Sequence, residues 1–285
     1  MSTIEKKPGT TGLWRGPKPP ISVIAAFVFV AIILIVGFFG EPLAREAAKQ
    51  DLSIVSQPPS SEHLLGTDRF GRDVLARLII GTSTALLGPF LIAGSGLVIS
   101  ALLGIMAAYL GGWVDQVIMR WVDFMIALPG LLVTIVVVSV IGGGYGIAII
   151  VLSVFNVQGD IRIIRGAALE QKPLPYIESL QSLGFSRPRI MFRHIVPNVS
   201  PLLVADFAID FSLALVALAG LSFLGLGSEP GSAEWGAMLA ENQSIIFANA
   251  AATLGPGFAI VLLAVAVHLI GDWLYDRYSA PARLV

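Results

Sequence analysis

From Ser83 to Leu110 the chain runs without one Asp, Glu, Lys or Arg. A stretch that long has few homes in water: about 20 mostly apolar residues cross a bilayer as a helix, and in lipid only a helix or a closed barrel satisfies every backbone N–H and C=O. Ile21–Phe39 supplies a second uncharged run; Val199–Leu221, interrupted by Asp206 and Asp210, and Phe258–Tyr275 are two further mostly apolar stretches. Phe124–Gly159 is also uncharged, is too long for one crossing, and carries GGGYG, Gly142–Gly146, at its middle. Glycines favour a reversal, so this run reads as two helices and a turn. The fold class is therefore all-α integral membrane, with six transmembrane helices and both termini on one side.

Composition agrees. Of 285 residues 55% are hydrophobic and 13% charged, with mean hydropathy +0.83, against roughly 25% charged in ordinary soluble domains. There is no cysteine, which removes disulfides, thiolate metal sites and thiol nucleophiles. No basic domain supports a nucleic-acid partner; the lipid bilayer is the first partner. The leading run follows Lys6, Lys7, Arg15 and Lys18 as a signal peptide's would, but exceeds the usual apolar length of about 7 to 15 residues, so it reads as a retained first helix.

Charge chooses the side. With a cytoplasmic N-terminus the inside collects Lys6, Lys7, Arg15, Lys18, Arg120, Arg162, Arg165, Lys172, Arg187, Arg189, Arg193, Arg277 and Arg283, against Arg45, Lys49, Arg69, Arg72 and Arg77 outside, 13 to 5. The positive-inside rule favours that orientation, with both termini cytoplasmic. The expected organisation is a cytoplasmic tail at 1–20, a first transmembrane helix at 21–39, an extracellular loop with an interfacial helix at 40–82, and a transmembrane core at 83–285. The alternating charges around Asp68, Arg69, Arg72, Asp73 and Arg77 suggest that interfacial helix, and Trp235 suits an interface anchor.

One cytoplasmic segment, 175–197, is unlike the rest: YIESLQSLGFSRPRIMFRHIVPN, Tyr176 to Asn198, is amphipathic and rich in arginine. Tyr176, Leu180 and Leu183, with Ile177 beside them, make one apolar stripe of a short helix. Gly184 suits a left-handed helix end, Ser186 a cap, and Pro188 a first turn, so a second helix should run to about Val196 and stop at Pro197. A bent element of this kind, joined through Pro197 to a membrane helix, can transmit force to it.

The spacing Glu178, six residues to Gly184, ten more to His194, then Val196, Pro197 and Asn198, resembles the EAA motif of ABC importer permeases. Ser179 and Leu180 stand where alanines are usual, His194 for an Ile and Val196 for a Leu. RHIVPN, Arg193–Asn198, is closer to the peptide and nickel subgroup. LGTDRFGRDVLARLIIG (Leu65–Gly81), LSFLGLG (Leu221–Gly227) and EWGAMLAEN (Glu234–Asn242) resemble blocks of that subgroup in the same order.

The resemblance points to the C-type permease of a dipeptide or oligopeptide importer, with nickel chelates, glutathione and haem as alternative cargoes. It implies a type I permease fold and a coupling helix docked on an ATPase. It also implies a second homologous permease of B type, two ATPase subunits or one fused ATPase, and an extracellular or periplasmic substrate-binding protein. The chain itself has no G-x-x-x-x-G-K-[ST] phosphate cradle. ATP and magnesium then belong to the partners, and this chain holds no cofactor or metal. In this reading Tyr176, Ile177, Leu180 and Leu183 form the docking face, Glu178 and Gly184 fix its shape, and Arg189, Arg193, His194 and Pro197 complete the coupling segment.

Ionisable groups inside membrane helices mark a cavity or a partner. Asp206 and Asp210, four residues apart, share a helix face. They could line a path and meet a peptide's ammonium end, or Asp206 could belong to the cytoplasmic end and Asp210 bond a neighbouring helix; Asn156 is open in the same way. Asp123 suggests interhelical bonding or a pair with Arg120, and His268 a bond to a neighbouring helix. Gly88, Gly94, Gly96 and Gly104 suit close helix approach and a central second span. An intramembrane aspartyl enzyme would need two carboxylates converging from different helices, whereas Asp206 and Asp210 lie on one; a channel or secondary transporter would leave the coupling segment without a purpose. Catalytic residues are therefore expected to be none.

Overall fold

A computed structural model describes residues 19–279. The basic residues of the tail, Lys6 to Lys18, and Arg283 lie outside them. Among the described residues the regular secondary structure is all helical, apart from one isolated bridge, Thr67 to Asp73. The apolar runs become α1 (Ile21–Ala44), α2 (Val74–Leu110), α5 (Tyr145–Gln171), α8 (Val196–Phe223) and α10 (Ala250–Ser279), each long and apolar enough to cross a membrane. The remaining crossing is broken into α3 (Gly112–Ile126) and α4 (Gly130–Ile141), which meet at 82°. Pro129 explains the break, because a residue preceding proline is pushed out of helical conformation. That crossing starts at Gly112, earlier than the run from Phe124 suggests.

Ordinary chemistry sets the ends. Asp73 caps α2, accepting from the N–H of Ala76 at 2.7 Å, and Gly111, at φ 63, closes it. The reversal expected at the glycines falls at Gly142–Gly144, with φ of 111, 75 and 109. α2 has 37 residues, roughly 55 Å at 1.5 Å each, and so projects beyond the hydrocarbon. Its first turns carry Arg77 and the last residues of the Leu65–Gly81 block.

α2 is the axis, lying against α1, α3, α5 and α8. A side chain at Gly104 would come within 2.9 Å of the Ile161 carbonyl, and Gly88 faces Tyr145 and Leu218; Gly94 meets nothing within 4 Å and plays no such part. One core, at the end where α2 begins, gathers Val74, Ala93, Phe211, Trp235, Met238 and Leu263. Another, where α2 finishes, gathers Ile105, Ile164, Ile177, Ile190, Ile195 and Leu203.

Two expectations fail near the beginning of α2. Residues 57–73 form no interfacial helix. Pro58 and Pro59, the positive φ of Gly66 and Gly71, and the Asp68 carboxylate accepting the N–H groups of Phe70 and Arg72 hold a folded loop instead. Nor is Trp235 an interface anchor: it is buried at the start of α9 (Trp235–Asn242), its indole N–H donating to the Leu78 carbonyl at 3.0 Å.

This loop closes through a buried charge cluster. Asp68 Oδ2 accepts from Arg72 Nε and Arg77 Nη1, both at 2.7 Å, and Glu241 Oε2 accepts from Arg72 Nη2 at 2.6 Å and Arg77 Nη1 at 2.8 Å. Arg77 also donates to the Ser232 carbonyl. The four side chains balance in charge and tie the loop to α2 and α9.

Candidate coupling and translocation site

After α5 the chain turns into α6 (Pro175–Ser182), with Pro175 in its first turn. Gly184, at φ 78, closes it, and the Phe185 N–H returns to the Leu180 carbonyl at 3.1 Å, a glycine-type helix end. Ser186 occupies the next cap position, but its hydroxyl makes no capping bond. α7 (Arg187–Ile190) passes through a π-helical turn, Met191–Ile195, directly into α8. The second helix therefore does not stop at Pro197. Proline falls within the first turn of α8, where a missing N–H is tolerated, and the Val196 N–H bonds five residues back to Met191. The second arm of the lever, α7, and the membrane helix α8 are one continuous rod, Arg187–Phe223.

The apolar stripe of α6 divides. Ile177 is fully buried with Ile190 and Ile195 against α2, α5 and α8, so it anchors the lever inward and is not part of an open docking face. Tyr176 and Leu180 lean on the same core, and the Tyr176 hydroxyl donates to Gln171 at 3.0 Å and accepts from Asn198 at 2.9 Å. Leu183, by contrast, is 73% exposed, with Glu178, Ser179, Arg187, Arg189 and Arg193 also open. Arg189 lies 4.6 Å over the Phe185 ring, which meets His194 edge-on.

Half-way along the rod, Asp206 and Asp210 share one face of α8, well removed from the coupling end. Opposite them on α5 stands Asp160, facing both. Gly96 of α2 backs the group: a Cβ there would lie 3.4 Å from Asp210 Oδ2 and 4.0 Å from Asp160 Oδ2. Asp160 and Asp206 are each 9% exposed, and one Oδ2 of each is buried with no hydrogen-bond partner. Asn156 is exposed, one turn before Asp160. Sequence reasoning missed Asp160 because the uncharged run ends at Gly159. The signal was present: a crossing of about 20 residues starting after the glycine turn must include it.

Between α3 and α5, Asp123 pairs with Arg162 at 2.5 Å rather than with Arg120, and Arg165 grips both oxygens of Asp115 at 2.6 and 2.7 Å. The interhelical bond expected of Asp123 is made. His268 approaches Asp272 of its own helix, at 3.6 Å, instead of a neighbouring one.

Residues 100–281 match the family described as binding-protein-dependent transport system inner membrane component. That span covers well over half the chain. The chain belongs to this permease family. Over 272 residues, 95% of this permease and 90% of the relative, it is 36% identical to the glutathione transport system permease protein GsiD of Pectobacterium atrosepticum. It is 35% identical to GsiD of Escherichia coli O157:H7 and 34% to that of Shigella dysenteriae, over the same shares. The permease is thus a multi-pass inner-membrane subunit of an ABC importer of the peptide and nickel family, with the type I fold. It is a transport subunit rather than an enzyme. Its family works with a partner permease, an ATPase and a substrate-binding protein.

Proposed function

We propose that this permease forms half of the path for di- or oligopeptides, small peptide-like solutes such as glutathione included, and couples it to ATP hydrolysis in separate chains through residues 175–197. The carrying observation is the unbroken helix from α7 into α8, Arg187–Phe223, against whose buried Ile190 and Ile195 α6 packs Ile177: force on α6 or α7 passes to the helix that bears Asp206 and Asp210. The glutathione transport named for three relatives supports the cargo class. Glu178, Leu183, Arg187, Arg189 and Arg193 present the ATPase-facing surface, while Tyr176, Ile177, Leu180 and Gly184 set its shape. His194 and Pro197 join it to α8.

The assembly pairs this chain with a B-type permease, two ATPase subunits or one fused chain that bind ATP and magnesium, and an extracellular or periplasmic receptor. Both termini face the cytoplasm, a reading supported by the arginines of the coupling segment. Asp206, Asp210 and Asn156 border the path.

Reconstitution with the co-purifying ATPase and receptor tests this. Gly184→Asp forces a side chain onto a positive φ at the lever's bend, and should abolish receptor-stimulated ATP hydrolysis while the membrane helices remain folded. Wild-type rates from Gly184→Asp, or a purified permease that brings no ATPase with it, would overturn the reading.

A further inference from the structure

The helices that carry the three aspartates are the two that the coupling segment joins. α5 leads into it and α8 leads out. Asp160 lies about half-way along α5, and Asp206 and Asp210 near the middle of α8, so the group belongs to the central part of two membrane-spanning helices. Carboxylates there are costly and require a compensating partner. None of the three forms an ion pair with Lys, Arg or His among the described residues; the nearest arginines along α5, Arg162 and Arg165, are taken by Asp123 and Asp115. One oxygen each of Asp160 and Asp206 is buried without a hydrogen-bond partner, and Gly96 of α2, beside Asp160 and Asp210, adds no side chain to the group. The described residues hold no His and acidic cluster arranged for a metal ion.

We propose that Asp160, Asp206 and Asp210 form a binding site for a cationic group of the transported solute, an ammonium or guanidinium. This rests on the importer reading and names the chemistry its path selects. The ammonium donates N–H bonds to the unpartnered carboxylate oxygens, and its charge compensates theirs. Because Asp160 moves with α5 and the other two with α8, displacement of the coupling segment alters their separation. Grip and release of the cation follow the ATPase cycle.

The test uses the purified importer with its ATPase and receptor. Dicyclohexylcarbodiimide, an apolar reagent for protonated carboxyls in membranes, is applied with ethylammonium or with acetamide, a neutral compound of similar size, and the labelled sites are mapped by peptide mass spectrometry. Ethylammonium should lower labelling at Asp160, Asp206 or Asp210 several-fold, and acetamide should not. Labelling that depends on pH alone assigns the site to protons and overturns the proposal, as does labelling that neither additive changes, or none at any pH.

In transport, Asp210→Asn should cut uptake of a free-amino tripeptide about tenfold or more relative to its N-acetylated form, after correction for receptor affinity. Equal loss of both counts against cation recognition. Receptor-stimulated hydrolysis by the wild-type assembly reports separately on the importer reading, so failure of one is distinguishable from failure of the other.

Discussion

Two buried clusters of ionisable side chains, one where the 57–73 loop meets α2 and α9 and one between α5 and α8, are treated in opposite ways. At the start of α2, Asp68 and Glu241 are met by Arg72 and Arg77, and every strong bond closes within the chain. In the middle of α5 and α8, Asp160, Asp206 and Asp210 make no ion pair with a Lys, Arg or His among the described residues, and one oxygen each of Asp160 and Asp206 is buried without a partner. A compensated cluster fastens a loop to a helix and stays inert. An uncompensated one persists only where something other than the fold requires it, which is why the second cluster marks function.

The sharpest way to break that contrast is at Arg77. Replacing it with Met leaves Asp68 and Glu241 short of a partner in a buried position, and should cost about 3 to 5 kcal/mol, read as a large fall in thermal stability of the detergent-solubilised chain. A melt unchanged by Arg77→Met would remove the structural reading of the outer cluster. Ile177→Ala comes next, at about 2 to 4 kcal/mol for an isoleucine buried in the lever's core. Leu183→Ala, exposed nearby, should leave the melt within about 0.5 kcal/mol and instead weaken ATPase binding in a pull-down. If both leucine and isoleucine variants behave alike, the division of the stripe into anchor and docking surface fails.

Asp206→Asn should leave stability unchanged or raise it, since it removes a buried charge that no side-chain base balances; a loss as large as that of Arg77→Met would make the two clusters equivalent. Smaller still is Arg162→Gln. Its bond to Asp123 joins two half-exposed side chains, so its loss should cost under about 1 kcal/mol in the same melt.

The last prediction concerns Glu234, outside the spanning helices. Burial raises its pKa, opposed by the N–H groups of Ala237 and Gly236. A carboxyl whose folded pKa lies above its unfolded value favours the folded state at low pH; that contribution is complete below the ordinary glutamate range and is lost as pH rises through the folded value. Glu234→Gln should flatten this dependence in thermal melts taken across the acidic range.

Much of the architecture is legible in residue order because lipid is so restrictive a solvent. Uncharged runs had to be helices, the Gly142–Gly144 reversal had to be a turn, and Gly184 had to bend the lever, each for a local reason. The errors fell where the decisive partner lies far along the chain. Trp235 reads as an interfacial residue until the Leu78 carbonyl is brought to it, and the charges around Asp68 read as a helix until Glu241 arrives. Pro197 reads as a stop because the π-helical turn that accommodates it depends on burying Met191 and Ile195.

The sequence by itself thus determined the solvent, the helix count, the place of the coupling segment and the family, all of which follow from local pattern and spacing. Only the tertiary structure decided which side of that segment faces inward, and that Asp160 joins Asp206 and Asp210. Helix order along a chain does not specify rotation about each axis. That angle is set by packing small residues such as Gly96 and Gly104 against neighbouring helices, and it is this packing that brings Asp160 of α5 beside Asp210 of α8.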